Sequence, residues 1–543
     1  MGKIRRAILS VFDKTGIAAL AKELVAMDIE ILSSGGTAAA LRAALVPVTE
    51  VSAVTGFPEM MDGRVKTLHP AIHGPLLADR SKAAHLEALS RHGMAPIDLV
   101  VLNLYPFETG LASGRPHDDL VELIDIGGPT MLRAAAKNCA FVAAVVDPAD
   151  YAAIVAELRA QDGGLTASTR RKLAAKAFRR VAALDAAIAG YLDGVVASEE
   201  RQGAPAPEAP ARLLPETSAE REFPHTHAPR YTLVQTLRYG ENPHQRAALY
   251  RCDPPATEVD LAGATVHQGK SLSYNNFVDI DSCLRIARDL DEPAAVIVKH
   301  NNPCGAATAE TLVEAFRAAH ACDPLSAFGG IIGFNRTVDA GTMQVVLESG
   351  FIECLVGPGY TADALHLAVA KKNVRVLSCT FEAAAAARRQ TRGLASRTIA
   401  GGLLLQDEDD VDENQTSFHC VSTRVPTAAE ERSLRFAWRI AKSVISNAIV
   451  FTRGTATVGV GAGQMSRVDS VALAARKAGE RSRGAVLASD AFFPFRDGID
   501  AAAAAGITAI IEPGGSVRDD EVIDAANEHG LALLFTGARH FRH

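Results

Sequence analysis

Short apolar runs alternate with amphipathic stretches from Ile4 onward, in the order AILSVFD, TGIAALAKELVAMD, IEILSSGG and TAAALRAAL. Short aliphatic runs suit buried strands, and the longer stretches carry apolar residues at helical spacing. The pattern therefore predicts β-α-β-α order and a parallel sheet with helices on its faces. It resumes at IDLVVLNLYPF, passes through a helix around TMLRAAAKN and returns to a strand in FVAAVVDP. A helical pattern then runs from Leu165 to about Ala197. Residues 198–229 lose all periodicity and fill with Pro, Ala and Glu, as an exposed linker does. The chain divides accordingly into a first part, 1–197, a linker, 198–229, and a second part, 230–543.

The second part carries an apparent internal echo. An apolar strand leads to Lys299, His300 and Asn301 and later to DPLSAFGG; Lys442, Ser446 and Asn447 are later followed by SDAFFPFRDG. Read as a duplication, this predicts two α/β repeats, with chance matching of short Ala/Phe strings as the alternative. Alanine runs at 383–387 and 501–505 read as helix formers.

Composition narrows the class. A chain of 543 residues is too long for one core, so at least two domains are expected. A net charge of −7 gives no general field for nucleic acid or acidic lipid, so an anionic ligand must be held by local cations and backbone dipoles. A small-molecule partner is expected, and no nucleic acid or membrane. The run from Ala7 to Phe12 is too short for a signal peptide, and no apolar run reaches transmembrane length. Eight cysteines without a C-x-x-C pair suit reduced thiols in the cytoplasm better than disulfides or a thiolate zinc site.

Ser34, Gly35, Gly36 and Thr37 close a predicted strand and open a helix. Free N–H groups and the positive helix end there suit a phosphate, although a Gly-Gly turn with a Thr cap is often only a turn. The Lys of a Walker loop is missing. Company strengthens the reading: Ser10, Asp13 and Lys14 end the first strand, and Arg64, Lys66 and Thr67 lie in the aperiodic GRVKTLHP. Both segments can converge on one sheet edge. Asn103 and Tyr105 leave a later strand, and Asp125, Ile126 and Gly127 lead a tight turn. Lys137 follows on a helix expected to begin after Pro129, among small apolar residues where desolvation could fit it for proton transfer.

These strings, SVFDKTG, SSGGT, TGFPEMMDGRVKTLHPAIHG, NLYPF and IDIGGPTMLRAAAKN, resemble the N-terminal domain of the bifunctional purine biosynthesis family. That domain is an inosine monophosphate (IMP) cyclohydrolase of methylglyoxal-synthase-like fold. The resemblance implies a phosphate cradle at residues 10–14, 34–37 and 64–67. It assigns ring closure to Lys66, Tyr105, Asp125 and Lys137, the last as main proton shuttle.

In the second part, LRYGENPHQ, VKHNNPCGAA, AFGGIIGFN, KSVISNAIV, VGVGAGQMSR, SDAFFPFRDGID and RHFRH resemble the transformylase domain of the same family. The halves of that domain resemble the cytidine deaminase fold. Formyl transfer from 10-formyltetrahydrofolate, the co-substrate, to the 5-amino group of aminoimidazole carboxamide ribonucleotide (AICAR) is implied, giving formyl-AICAR (FAICAR). His300 matches the general base, Lys299 its neighbouring stabiliser, and Asn447 the group that orients the formyl. Arg238, Tyr239 and Arg539 match ribonucleotide binders. Arg467, Phe492, Asp497 and Ser516 match pocket residues, and Phe541 and His543 lie near the site. The resemblance also implies a homodimer.

Two rivals remain in view. A zinc deaminase needs H-x-E with a later P-C-x-x-C, whereas Pro303-Cys304-Gly305 has no second Cys at that spacing, so no metal is expected. A nucleotide-sensing regulator that had lost catalysis is opposed by intact Lys66, Asp125, Lys137, Lys299, His300 and Asn447.

Overall fold

Strand β1 (Arg6–Val11) lies at the centre of the first sheet, flanked by β2 (Glu30–Ser33) and β4 (Leu99–Asn103), with β3 (Thr49–Glu50) and β5 (Ala143–Val145) at the edges. All four pairings are parallel, in the order β3-β2-β1-β4-β5. The computed structural model describes residues 2–58, 60–61, 65–201, 223, 227–253, 255, 259–379, 394–411 and 416–543. It divides into two compact units, Met1–His227 and Ala228–His543.

The inner strands of the first sheet are buried on both faces, as parallel sheets require, while the edge strand β3 is only half-buried. Ile8, Val100 and Ala144 pack on one side with Leu132 and Ala135, while Leu9, Val101 and Val145 pack on the other with Ile17 and Leu24. The predicted alternation is realised in the helices Ile17–Ala26 and Gly35–Ala43. The helix expected after Pro129 begins before it, at Gly127, and spans Gly127–Lys137. Strand order reverses between β1 and β4, which opens a crevice beyond their C-terminal ends.

The second unit begins with an isolated hairpin, β6 (Tyr231–Leu237) and β7 (Ala247–Cys252). Strand β8 (Thr265–Gln268) lies at one edge of a 12-stranded sheet. There follow β9 (Ala294–Lys299), β10 (Asn302–Thr308), β11 (Ile331–Phe334), β12 (Cys354–Gly357) and β13 (Arg375–Ser378). A second isolated hairpin comprises β14 (Leu394–Ile399) and β15 (Gly402–Asp407), and β16 (His419–Cys420) closes the other edge of the large sheet. The remaining strands are β17 (Ile449–Arg453), β18 (Ala456–Gly461), β19 (Val486–Ser489), β20 (Ala509–Glu512) and β21 (Ala532–Phe535).

Topology carries the duplication. The helix Tyr274–Arg288 precedes an antiparallel hairpin, β9-β10; β11 runs antiparallel to β9, and β12 and β13 follow in parallel. The helix Ala428–Ala441 precedes β17-β18; β19 runs antiparallel to β17, and β20 and β21 follow in parallel. The halves meet antiparallel at β10 and β18. Glycines stand at matching places: a Cβ on Gly305 would lie 1.9 Å from the Ala319 carbonyl, and one on Gly459 2.3 Å from that of Ala474. Each half thus lays a helix directly on the second strand of its hairpin.

The register of the echo needs correction. Lys299, His300 and Asn301 sit at the β9-β10 turn, whose counterpart is Gly454 and Thr455, not Ser446 and Asn447, which precede β17. DPLSAFGG precedes β11, whereas SDAFFPFRDG begins at the end of β19. The strings gather at one end of the sheet, but they are not equivalent positions. The alanines at 501–504 lie in the helix Asp497–Ala504, while the run 383–387 falls outside the described residues.

At the opposite end of the first half, one side chain ties three backbone groups together. Asn335, which follows β11, accepts from the Ala294 N–H (2.8 Å) and donates to the carbonyls of Leu290 (2.7 Å) and Glu292 (2.8 Å). Its position corresponds to Asp490 after β19.

Candidate functional site

In the first unit, five segments meet at the β1/β4 crevice. Thr37 Oγ1 accepts from the Val11 N–H and donates to the Val11 carbonyl, both at 3.0 Å. Thr37 is therefore a clamp on β1, and the helix cap is Ser34 instead. Asn103 Oδ1 accepts from the N–H groups of Phe12 (2.6 Å) and Asp13 (2.9 Å), and its Nδ2 donates to the Asp13 carbonyl (2.9 Å). These bonds spend the Asn103 side chain on shaping the loop after Ser10. The Asp13 carboxylate accepts from the Thr15 hydroxyl and N–H, which hold it below the usual range.

The Gly-Gly turn is flanked by ammonium groups. A Cβ on Gly35 would lie 3.6 Å from Lys66 Nζ, and one on Gly36 3.8 Å from Lys14 Nζ. Gly35 has φ +53, a left-handed conformation that favours glycine. The helix Gly35–Ala43 starts here, and the first N–H groups of a helix have no partner within it. Ser34 Oγ is buried without a partner and adds a further hydrogen-bonding group to the turn.

Asp125 faces this cluster from the next turn. One of its oxygens accepts from the Gly128 N–H at 2.8 Å. Burial raises its pKa, opposed by that bond and by the charge of Lys66. A Cβ on Gly128 would lie 2.3 Å from the Asp125 carboxylate and 3.0 Å from Leu104, so only glycine fits there. Gly127 packs on buried Thr67, at 3.1 Å from Oγ1 to the ideal Cβ position. Exposed Tyr105 meets Phe12 edge to face at 5.6 Å, forming an apolar lip, and Ile126 is exposed nearby in sequence.

Two expected members stand apart. Lys137 ends the helix that Gly127 begins, about 15 Å along the axis at 1.5 Å per residue. Its side chain is exposed and only its alanine neighbours face the core, so the desolvated setting expected for it is not formed. Arg64 lies outside the described residues.

In the second unit, His300 (φ +51) and Asn301 (φ +64) form the two-residue turn between Lys299 and Asn302, both in the left-handed region that a type I′ hairpin demands. Asp279 holds this turn by accepting from the N–H groups of His300 (3.3 Å) and Asn301 (2.8 Å). Lys299 Nζ donates to the Phe328 carbonyl at 2.7 Å. Asn302 Oδ1 accepts from the Ile445 N–H at 3.0 Å, tying the turn to the segment before Asn447.

Strand directions bring the second half to the same edge. Arg467 is buried, with its guanidinium paired to Asp490 and bonded to Ser489 Oγ and Asn447 Oδ1, each at 2.8 Å. Arg467, a pocket residue by resemblance, fixes Asn447, whose Nδ2 also donates to the Gln464 carbonyl at 2.9 Å. Phe492 follows Asp490, and Asp497 starts the next helix with its carboxylate on the Gly498 N–H (2.7 Å). Ser516 donates its N–H to Asp519 at 2.9 Å.

At the C-terminus, the Arg539 guanidinium lies over Phe541 at 4.4 Å, and Phe541 meets His543 at 5.5 Å. The His540 N–H donates to the Asp490 carbonyl at 2.9 Å, which docks this tail on the same edge. Arg238 stacks on Tyr239 at 4.9 Å beyond β6. That loop is joined through Glu241 to Asn275 (3.3 Å), on the helix that carries Asp279.

Sequence reasoning missed Asp279, Gln464, Asp490 and Glu512. Glu512 is wholly buried at the end of β20; burial pushes its carboxyl up to about 8, and it accepts from the Phe493 N–H at 2.6 Å. Gln464 and Asp490 lie within the strings VGVGAGQMSR and SDAFFPFRDGID, but nothing in the sequence sets them apart there from their neighbours. Cys304, the position a deaminase would give to zinc, is a core thiol that burial pushes up to about 12.

A family model described as AICARFT/IMPCHase bienzyme matches residues 135–477, and one described as MGS-like domain matches residues 16–130. The chain is similar to two curated proteins named Bifunctional purine biosynthesis protein PurH. The one from Cereibacter sphaeroides is 50% identical and the one from Xanthomonas campestris 51%, each over 99% of both chains. A solved structure described as Crystal structure of ForH is 34% identical, covering 34% of this chain and 97% of that one, with a TM-score of 0.30.

Proposed function

We infer the chemistry of each unit from the premise that this chain belongs to the AICARFT/IMPCHase bienzyme family, and so both formylates AICAR and closes FAICAR to IMP. The first unit is the cyclohydrolase, and the second, from about residue 230, is the transformylase. The observation that carries the first assignment is the glycine turn at 35–36 with Lys14 and Lys66 beside it and an unpartnered Ser34 hydroxyl within it. Such a site suits the ribose phosphate of FAICAR.

In ring closure, the carboxamide nitrogen attacks the formyl carbon, the formyl oxygen gains a proton, and water then leaves. The reaction needs a cation beside the developing oxyanion and a proton carrier. Lys66 and Asp125 are coupled by charge at the turn and supply both, while Tyr105 covers the base. The role of Lys137 rests on resemblance alone.

In formyl transfer, the AICAR amine attacks the formyl carbon of 10-formyltetrahydrofolate. His300 takes the amine proton, Lys299 stabilises the tetrahedral oxyanion, and the proton passes to the leaving folate nitrogen as the bond to carbon breaks. Asn447, fixed by Arg467, presents its amide to the formyl group. Phe492, Asp497 and Ser516 bind the folate, and Arg238, Tyr239 and Arg539 bind the nucleotide. Protein mixed with AICAR and 10-formyltetrahydrofolate is expected to release IMP and tetrahydrofolate in equal amounts. Consumption of AICAR without folate would support a deaminase instead.

The working form is a homodimer in the cytoplasm. A lone two-stranded hairpin is at best marginal in water, yet β14-β15 exposes Leu394, Ile399, Leu403 and Leu404. A second copy of the chain covers this surface. Leu404→Glu is expected to weaken the dimer by roughly tenfold or more in sedimentation equilibrium. An unchanged dissociation constant would place the interface elsewhere.

A further inference from the structure

We propose that Arg542, the penultimate residue, is a positioning residue for formyl transfer that holds the Lys299–Asn302 turn in place through Ser282. The inference rests on the reading of that turn as the bearer of the base. The path is continuous: Arg542 Nη2 donates to Ser282 Oγ at 3.0 Å, and Ser282 Oγ donates to Asn301 Oδ1 at 3.2 Å. The other guanidinium nitrogen, Nη1, donates to the Ser443 carbonyl at 3.0 Å, and the Arg542 carbonyl accepts from the Ser446 N–H at 2.9 Å. One residue thus grips the helix beneath the turn and the segment that delivers Asn447.

The turn needs such support. His300 and Asn301 both have positive φ, a region that a histidine adopts only where its surroundings hold it. Asp279 satisfies the two backbone N–H groups, but the Asn301 side chain is held by Ser282, which is 1% exposed. Ser282 gives its one hydroxyl proton to Asn301, and its oxygen accepts from Arg542, which orients the hydroxyl toward the turn. Without Arg542 the hydroxyl can rotate away and the turn can relax. A displacement of about 1 Å at reacting groups can cost roughly 100-fold in rate.

The test measures kcat and both KM values for formyl transfer by the full chain, with unaltered KM values and thermal unfolding as the folding control. Arg542→Ala and Ser282→Ala are each expected to lower kcat by roughly 10- to 100-fold, with KM values within about twofold. The double variant should be no slower than the slower single one, because both cut the same path. Arg542→Lys, which can keep one of the two bonds, should fall between wild type and alanine. Additive losses in the double variant, or raised KM at unchanged kcat, would overturn the proposal. His300→Ala separates the two ideas. If that variant stays active, the base assignment fails, while coupling between Arg542 and Ser282 still reports on the turn through Lys299.

Discussion

His300→Ala is expected to lower formyl transfer by roughly 10²- to 10⁴-fold, the usual range for a positioned general base, while ring closure of supplied FAICAR is unchanged. The AICAR amine is a poor nucleophile because its ring withdraws electron density, so a base within reach of the amine proton carries much of the rate. The left-handed turn projects His300 from the end of β9, and the bonds from Asp279 are to backbone N–H groups. Removal of the imidazole therefore leaves the turn's own hydrogen bonds in place. A stopped assay with AICAR and folate, run beside one with FAICAR, reads both activities. Loss of both in this variant would contradict the assignment of separate sites to the two units.

The complementary variants, Lys66→Met and Asp125→Asn, are expected to slow ring closure by roughly 10²- to 10³-fold and to leave formyl transfer intact, so that FAICAR accumulates. Lys66 is beside the phosphate turn and its charge acts on Asp125, so one cation serves both binding and proton transfer. Lys66→Met should accordingly raise KM for FAICAR as well as lower kcat, whereas Asp125→Asn should act mainly on kcat. Burial holds the Asp125 carboxyl above the ordinary range, so if its carboxylate form is the active one, ring closure should fall with acid earlier than for an exposed aspartate. Lys137→Ala belongs in the same series. Full retention of closure would assign proton transfer to Lys66 and Asp125 alone; loss with unaltered IMP binding would restore the role that resemblance implies.

Most of this site was legible wherever chemistry sits in a contiguous string. Ser34 to Thr37, Lys66 with Thr67, and Asp125 to Gly128 announce themselves by glycine spacing and by charge, and the strand periodicity around them placed them on one sheet edge. What the string could not reveal was the use of each side chain. Thr37 and Asn103 read as ligand groups, yet their hydrogen bonds close on Val11, Phe12 and Asp13. Arg467 reads as a pocket residue, and the string does not show that its guanidinium is paired with Asp490; removing one partner of such a buried pair costs about 3–5 kcal/mol. Lys137 lies in a run of alanines, but helical phase turns it to solvent while they turn inward. Asp279 and Ser282 act from the face of a helix over 20 residues upstream of, and 19 residues from, their respective partners His300 and Asn301, a relation no local motif records.

The antiparallel join of β10 to β18 has a historical consequence. It turns the equivalent edges of the two halves to opposite ends of the sheet, so the edge with His300 borrows Asn447, Asp490 and Phe492 from the other half. Neither half contains that constellation by itself. A half-length forerunner could have assembled it only as a pair of chains, and such a pair would have owned two identical edges. In the joined chain the two edges carry different residues: Asn335, with its three hydrogen bonds to backbone, holds at one the place that Asp490 holds at the other.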